Sequence, residues 1–383
     1  MSSTTLVNLV VDLDERFADD AAARERLTRA GYDVATTAGA SDAVLAWIDE
    51  VFGGAWSSEV AVAQCVLATR DGTPAGFAAF DPRGLRYAWL RGVAREPGVG
   101  IFGPFGVAPA LRGPLTGEPA GDSVGSLLLH VALCGLRARG YVRALIAATS
   151  EALVPYYARH AGARAIERYD PATFTPAPVR TVVLASGSGT NFQAVIDRVA
   201  GGLPLELTAL VTNKAGAFAV ERARRAGIPA VVLPWSRSEE PRDAYDARLR
   251  ESVARFDPEL LLLLGWMHLL DPAFVAAFPQ MLNVHPAFLP LDPARDSVGM
   301  PDGTTIPAFR GSHAVRDALA ANSPWVGASV HEVTVDTDRG RVLARKPLQI
   351  VPGEDEDAIL ARLHPIEHQL VAIAIKRRLY ERE

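Results

Sequence analysis

The sequence predicts an α/β protein of two domains, the second built on an open, mostly parallel sheet. Three observations lead there. After residue 180, short apolar runs alternate with segments of helical period. One of those runs, ELLLLLGW at 259–266, is almost wholly apolar, as a central parallel strand buried on both faces requires. The 383 residues also exceed one ordinary domain, and the proline-bearing stretch YDPATFTPAPVR at 169–180 stiffens the chain and disfavours regular pairing where a boundary is needed. The expected division is a first domain over 1–170, a linker over 171–179 and a second domain over 180–383.

The second domain reads as a regular succession. TVVLAS (181–186) is a strand, NFQAVIDRVA (191–200) a helix, ELTALVTN (206–213) a strand and AFAVERARRAG (217–227) a helix closed by Gly227. PAVVLP (229–234) is a third strand and RDAYDARLRESVARF (242–256) a third helix. The central leucine run, a short helix at PAFVAAF (272–278) and a strand at MLNVH (281–285) follow. In such sheets ligands sit beyond the carboxyl ends of the strands.

The first domain reads as an α+β arrangement. AVLAWIDEVF (43–52) is helical. AQCVLATRDGTPAGFAAFDP (63–82) is a hairpin turning at RDGTP. GIFGPFGVAP (100–109) and VRALIAAT (142–149) are strands, GSLLLHVALCGLRARG (125–140) is a helix, and EALVPYYARHAG (151–162) is a helix interrupted at Pro155.

Composition narrows the function classes. A formal net charge of −5 gives no electrostatic footprint for nucleic acid. Cys65 and Cys134 lie in apolar runs and read as buried thiols in a reducing compartment. The N-terminus lacks a basic segment and meets Asp12 and Asp14 early, unlike a signal peptide, and no apolar run has the length of a membrane span. A cytoplasmic enzyme acting on small molecules, without nucleic acid or membrane, is the expectation. No metal is expected, because the eight His and two Cys show no ligand spacing. A homo-oligomer is compatible with the sequence.

Two stretches carry chemistry. In SGSGTNFQ (186–193) a strand ends, Gly187 and Gly189 turn the chain and a helix opens. Backbone N–H groups at such a start favour an anion, phosphate above all, while the plainer reading is a tight turn with Thr190 capping the helix. In LNVHPAFLP (282–290), Asn283 and His285 share one face of a strand end. An amide beside an imidazolium suits the oxyanion of a reacting carbonyl. A carboxylate is needed to orient them, and TVDTDRGRVL (334–343) offers Asp336 and Asp338 on a turn between two strand-like runs. Spacing alone leaves the choice between those two open.

From Arg180 onward the chain resembles the folate-dependent glycinamide ribonucleotide formyltransferases. VVLASGSGTNFQAV, TNKAGAFAVERARRAGIP, LLLLGWMHLLDPAFVAAF, LNVHPAFLP, GASVHEVTVDTDRGRVL and IEHQL stand in that family's order. The resemblance implies a Rossmann-like fold and transfer of a formyl group from 10-formyltetrahydrofolate to the amine of glycinamide ribonucleotide, in purine (IMP) biosynthesis. It places the catalytic Asn, His and Asp on Asn283, His285 and Asp338, and so selects Asp338 over Asp336. It implies that Asn283 and a protonated His285 hold the oxyanion while Asp338 keeps His285 charged, raising its pKa. It puts the phosphate loop on Gly189, Thr190 and Asn191, and the contact to the glycinamide part on Glu367, which otherwise reads as a carboxylate in the first turn of a helix after Pro365. The pteridine segment falls on Met267, His268, Leu269 and Leu270, with His268 where the family usually has Arg. Arg242 matches an Arg that meets the folate tail, and its plainer reading is an exposed helix cation. Ala287 replaces a usual Ser, and the chain after Pro290 is longer than the family's by about a dozen residues.

The first domain resembles, more loosely, the GNAT acyltransferases, through GPFGVAPALRG, VGSLLLHVALCGLRARG and the later YYARHAG. That resemblance implies acetyl-coenzyme A held at a turn containing Arg112, Gly113 and Gly125, with Tyr156 or Tyr157 as general acid; aromatic packing is the plainer role for the tyrosines. The insert PLTGEPAGDS splits the turn, so a degenerate domain serving assembly or substrate binding is the alternative. For the second domain the alternatives are hydrolysis of 10-formyltetrahydrofolate, formyl transfer to another amine such as a sugar nucleotide, and non-catalytic folate or nucleotide binding.

Overall fold

The computed structural model describes residues 5–85, 87–90, 92–117, 121–174 and 177–381. Thr175 and Pro176 of the expected linker, and Glu118 to Ala120 of the insert in the first domain, lie outside them. Two compact units result: Met1–Phe52, Trp56–Thr175 and Tyr380–Glu383 form one, and Gly53–Ala55 with Pro176–Leu379 the other.

The first unit runs β1 (Leu6–Asp12), α1 (Ala21–Arg29), β2 (Asp33–Ala38), α2 (Asp42–Phe52), α3 (Ser57–Val60), β3 (Gln64–Arg70), β4 (Thr73–Phe80), β5 (Val99–Val107), α4 (Val124–Ala138), β6 (Arg143–Ser150), α5 (Val154–Ala161) and β7 (Arg164–Tyr169). Its seven strands are ordered β2-β3-β4-β5-β6-β1-β7. The β3–β4 hairpin turns at Asp71 and Gly72, both at positive φ, as a two-residue hairpin loop demands. Among the described residues of this unit only β5 and β6 pair in parallel, and that pairing ends at Phe102↔Ile146 although β5 runs on to Val107 and β6 to Ser150. Past that point each strand stays paired on its other side, β5 with β4 and β6 with β1. The buried face of α4 lies against β3, β4 and β5 and closes the core with Val7, Leu9, Leu27, Leu128 and Leu133. Pro155 does not interrupt a helix. It sits in the first turn of α5, where its missing N–H would be unpaired anyway.

The second unit continues with β8 (Val179–Leu184), α6 (Thr190–Ala200), β9 (Leu205–Thr212), α7 (Phe218–Arg225), β10 (Ala230–Val232), α8 (Arg242–Ala254), β11 (Leu260–Leu263), α9 (Pro272–Ala277), β12 (Met281–His285), β13 (Ser297–Gly299), β14 (Thr305–Pro307), α10 (Ala314–Ala320), β15 (Trp325–Glu332), β16 (Val342–Gln349) and α11 (Glu356–Tyr380, of which the unit takes the residues to Leu379). The supposed linker is shorter than its prolines suggest, because Pro171–Phe174 is a 3-10 turn and Val179 already pairs with Leu205.

The main sheet has the order β10-β9-β8-β11-β12-β15-β16. The pairs from β10 to β12 are parallel; β12–β15 and β15–β16 are antiparallel. From β8 the chain winds outward through β9 and β10, then crosses back to β11 on the other side of β8. Strand order therefore reverses between β8 and β11, and a crevice opens at their carboxyl ends. All four residues of β11 are buried, as its apolar run requires.

Candidate active site

A cleft of about 480 Å³ occupies that crevice, a volume suited to small molecules. The loop after β8, the segment after β11, the end of β12 and the Asp338 loop all line it. Gly189 ends the first loop at φ +68, and a Cβ there would stand 2.8 Å from Ala219 Cβ, so both backbone and packing demand glycine. Gly189 is the residue before α6 and Thr190 the first inside it, with no side-chain cap. Thr190 is therefore not a cap, and the first N–H groups of α6 stay available at the cleft wall.

Asn191, one residue further, donates from Nδ2 to Glu367 Oε2 at 2.8 Å. Glu367 is not in a first helical turn, since α11 begins at Glu356 and passes through Pro365. Proline removes one interior hydrogen bond there without ending the helix. Glu367 is 5% exposed. Burial raises its pKa, partly offset by the Asn191 hydrogen bond and by His364.

Asn283, His285 and Asp338 come together in the lining of the same cleft. Asn283 and His285 sit at the end of β12, opposite His331 and Ser329 of β15. Asp338, at φ +54 on the loop between β15 and β16, places Oδ2 3.7 Å from His285 Nδ1 and accepts from the Gly311 N–H at 2.7 Å. Its Oδ1 lies 3.4 Å from Nε2 of His331. That same Nε2 is 3.1 Å from Asn283 Nδ2, and His331 Nδ1 donates to the Glu332 carbonyl at 2.8 Å. Asp336 is not among the lining residues. In the sequence His331 stands as one imidazole inside the largely buried run WVGASVHEV, with no motif to single it out. Its signal was positional: the cross-strand partner of Asn283 shares its face.

The expected effect of Asp338 on His285 meets an opposing one. The charge of Asp338 does favour a protonated His285, but burial outweighs it and the imidazole pKa is lowered. His285 is 4% exposed, and its Nε2 donates to the Phe309 carbonyl at 2.7 Å. That bond selects the Nε2–H tautomer and leaves Nδ1 as an open acceptor beside Asp338. Burial would raise the Asp338 carboxyl, yet His331, His285 and the Gly311 N–H together hold it well below the usual range.

Met267 and Leu269, 50% and 68% exposed, form an apolar rim with Leu270. His268 is held by Asn213 Nδ2, 2.8 Å from its Nε2, among the rings of Trp235, Tyr245 and Trp266. Burial lowers its pKa, so it does not reproduce the cation that the resemblance implies there. Arg242 lies outside the lining; its Nε bonds both oxygens of Asp246 and its Nη2 donates to the Leu269 carbonyl.

In the first unit, Arg112 Nε donates to the Val107 carbonyl at 3.0 Å and Gly113 has φ +128. Gly125 lies in the first turn of α4, where a Cβ would meet Tyr156 Oη at 2.9 Å. Ser123 and Ser126 form a capping box that takes up the Ser126 N–H. Arg112 and Gly113 are separated from α4 by a loop closed through Leu115 N–H to the Asp122 carbonyl, so the expected turn is not compact. Burial pushes the Tyr156 hydroxyl up to about 12, and Tyr157 packs near Phe102 and Phe105.

No helix among the described residues is long and apolar enough to cross a membrane, and no group of three His, Cys, Asp or Glu is arranged to hold a metal.

Comparison with known proteins follows the second unit. The formyl transferase family profile matches residues 179–292 and 303–375, leaving 293–302 outside. The phosphoribosylglycinamide formyltransferase of Escherichia coli is 36% identical over 196 residues, 51% of this chain and 84% of that protein. The enzyme of the same name from Mycobacterium tuberculosis is 33% identical over 200 residues, 52% of this chain and 84% of the relative. Among solved structures, glycinamide ribonucleotide transformylase 1 from Symbiobacterium toebii is 32% identical, with a TM-score of 0.45, over 52% of this chain and 86% of that one. Matched through most of these relatives' length, the chain belongs to the phosphoribosylglycinamide formyltransferase family of formyl transferases.

Proposed function

We propose that the second unit transfers a formyl group from 10-formyltetrahydrofolate to the amine of glycinamide ribonucleotide. One observation carries this reading: Asn283, His285 and Asp338 line a cleft that the uncapped start of α6 lines too, with Asn191 and Glu367. The α6 N–H groups receive the acceptor's phosphate. Glu367, aligned by Asn191, accepts from the N–H groups of its glycinamide part. The apolar rim of Met267, Leu269 and Leu270 takes the pteridine. The amine attacks the formyl carbon and the carbonyl electrons move onto oxygen, toward which Asn283 offers its amide. His285, neutral before attack, takes the amine's proton at Nδ1, and Asp338 stabilises the imidazolium so formed. The proton then passes to the departing folate nitrogen as the carbon–nitrogen bond to the donor breaks. Neutral imidazole as base replaces the pre-charged imidazolium.

Hydrolysis of the same donor would use the same three side chains but has no use for the anion-ready start of α6. Consumption of 10-formyltetrahydrofolate, followed with and without glycinamide ribonucleotide, tests the choice. Turnover only with the amine supports transfer; equal turnover without it overturns transfer.

For the first unit, the end of β5–β6 pairing at Phe102 and Ile146, with each strand still paired on its other side, favours a ligand with an amide-bearing arm laid between them, followed by phosphate near α4. Acetyl-coenzyme A has that chemistry. Calorimetric titration with acetyl-coenzyme A tests this, and absence of heat at millimolar ligand removes the reading.

A further inference from the structure

The segment that separates this chain from its family does not line the cleft, but it contacts the residues that flank Asp338. Residues 293–302, outside the family match, belong to a hairpin in which Ser297, Val298 and Gly299 of β13 pair with Pro307, Ile306 and Thr305 of β14. Val298, Met300 and Ile306 are buried, and Trp325 Nε1 donates to Asp302 Oδ2 at 2.9 Å, so the hairpin is anchored to the body of the unit. From this anchored base Asp296 receives two arginines. Arg310 Nη1 reaches its Oδ1 at 2.9 Å, and Arg339 Nη2 reaches the same oxygen at 2.5 Å. Backbone carbonyls complete the arrangement: Arg339 Nη1 donates to Pro293 and Arg310 Nη2 to Arg295.

Both arginines adjoin the catalytic groups. Arg339 directly follows Asp338 in the chain. Arg310 donates from Nε to the Asp338 carbonyl at 3.2 Å and precedes Gly311, whose N–H holds the Asp338 carboxylate. Phe309, one residue earlier, supplies the carbonyl that sets the His285 tautomer. Asp338 has a left-handed backbone conformation (φ +54), uncommon for a residue with a Cβ although Asp enters it more readily than most, so its loop geometry is a local feature that contacts can hold. We propose that the hairpin insertion is a positioning device, in which Asp296 clasps Arg310 and Arg339 and so fixes the Asp338 loop against His285. The inference rests on the reading of Asp338 and His285 as the pair that moves the proton.

The test is steady-state kinetics of the full chain with 10-formyltetrahydrofolate and glycinamide ribonucleotide. Asp296→Ala is expected to lower kcat about tenfold while both KM values stay within about twofold, since geometry at the reacting centre is lost and substrate contacts are kept. Asp296→Glu is expected to recover most of the rate. Arg339→Ala combined with Asp296→Ala should be slower than the slower single variant by less than the product of the two effects, because the Arg339–Asp296 link is lost in both. Asp296 is exposed, so an unchanged melting temperature is the fold control. Asp338→Asn separates the two levels of the account. If it is severely impaired while Asp296→Ala keeps wild-type kcat, the positioning role alone is overturned. If Asp338→Asn keeps full activity, the catalytic reading falls and the positioning role with it.

Discussion

Replacing Asp338 by Asn removes one charge and keeps the side-chain volume. The carboxylate stands 3.7 Å from His285 Nδ1, with its side chain 9% exposed. Two unit charges at that separation interact by about 4 kcal/mol at an effective dielectric of about 20. In the proposed step this attraction arises once His285 has taken the proton, so it stabilises that step and not the neutral resting site. The new amide dipole and nearby solvent recover part of it, leaving a loss of roughly 3 kcal/mol, or about a hundredfold in kcat. The direction of a second effect follows from the same charge. Asp338 raises the His285 pKa against the lowering by burial, so its loss moves the acid limb of the pH–rate profile further down. The assay is formyl transfer from 10-formyltetrahydrofolate across pH 4.5 to 8, with kcat and kcat/KM fitted separately. A variant within about threefold of wild type, with an unmoved acid limb, would refute the charge argument.

Other outcomes follow from the same geometry. Because burial lowers the His285 pKa from 6.5 and the proposed base is the neutral ring, the acid limb of kcat/KM, for a donor and acceptor that do not themselves titrate there, should lie below pH 6.5; an acid limb above pH 6.5 would contradict this. The same depressed pKa favours the unfolded chain as pH drops below 6.5, while Asp338, depressed by its partners, contributes stability above its ordinary 3.8 that is lost as pH falls through its folded value. Glu367→Gln should raise KM for glycinamide ribonucleotide about tenfold with KM for the folate unchanged; an equal change in both would show that Glu367 does not face the acceptor. Leu261→Ala, in the buried central strand, should cost about 2–5 kcal/mol in urea unfolding, and a cost below about 1 kcal/mol would mean that β11 is not the packed centre of the unit.

Legibility in the sequence tracked the kind of physics involved. The β8–β12 succession was readable because apolar runs, helical spacing and terminal glycines are local signals, and the order of such elements implies a parallel sheet with a crevice at its ends. Asn283 and His285 were readable for the same reason, as polar groups interrupting one face of a strand. β2 was not: its sequence, DVATTA, forms an edge strand exposed along most of its length, so no alternation marks it. Pro365 misled in the opposite sense, since packing of Ile359, Leu363, Leu370 and Val371 carries α11 through a residue that locally argues for an end. The charge beside His285 was anticipated, but its burial was not, because burial is set by the Phe309 segment and β15, distant in the chain. Neither His331 nor the Asp296 clasp had any local signature. Each exists through pairing between segments that only the fold brings together.

The central claim is that this cleft delivers a formyl carbon to an amine. A single turnover with 10-formyltetrahydrofolate carrying carbon-13 in the formyl group, quenched and read by mass spectrometry and NMR, tests it directly. The account predicts the label on the glycinamide nitrogen of the ribonucleotide, with wild-type yield lost in His285→Ala. Label recovered as formate, in equal amount with or without the amine, would contradict it.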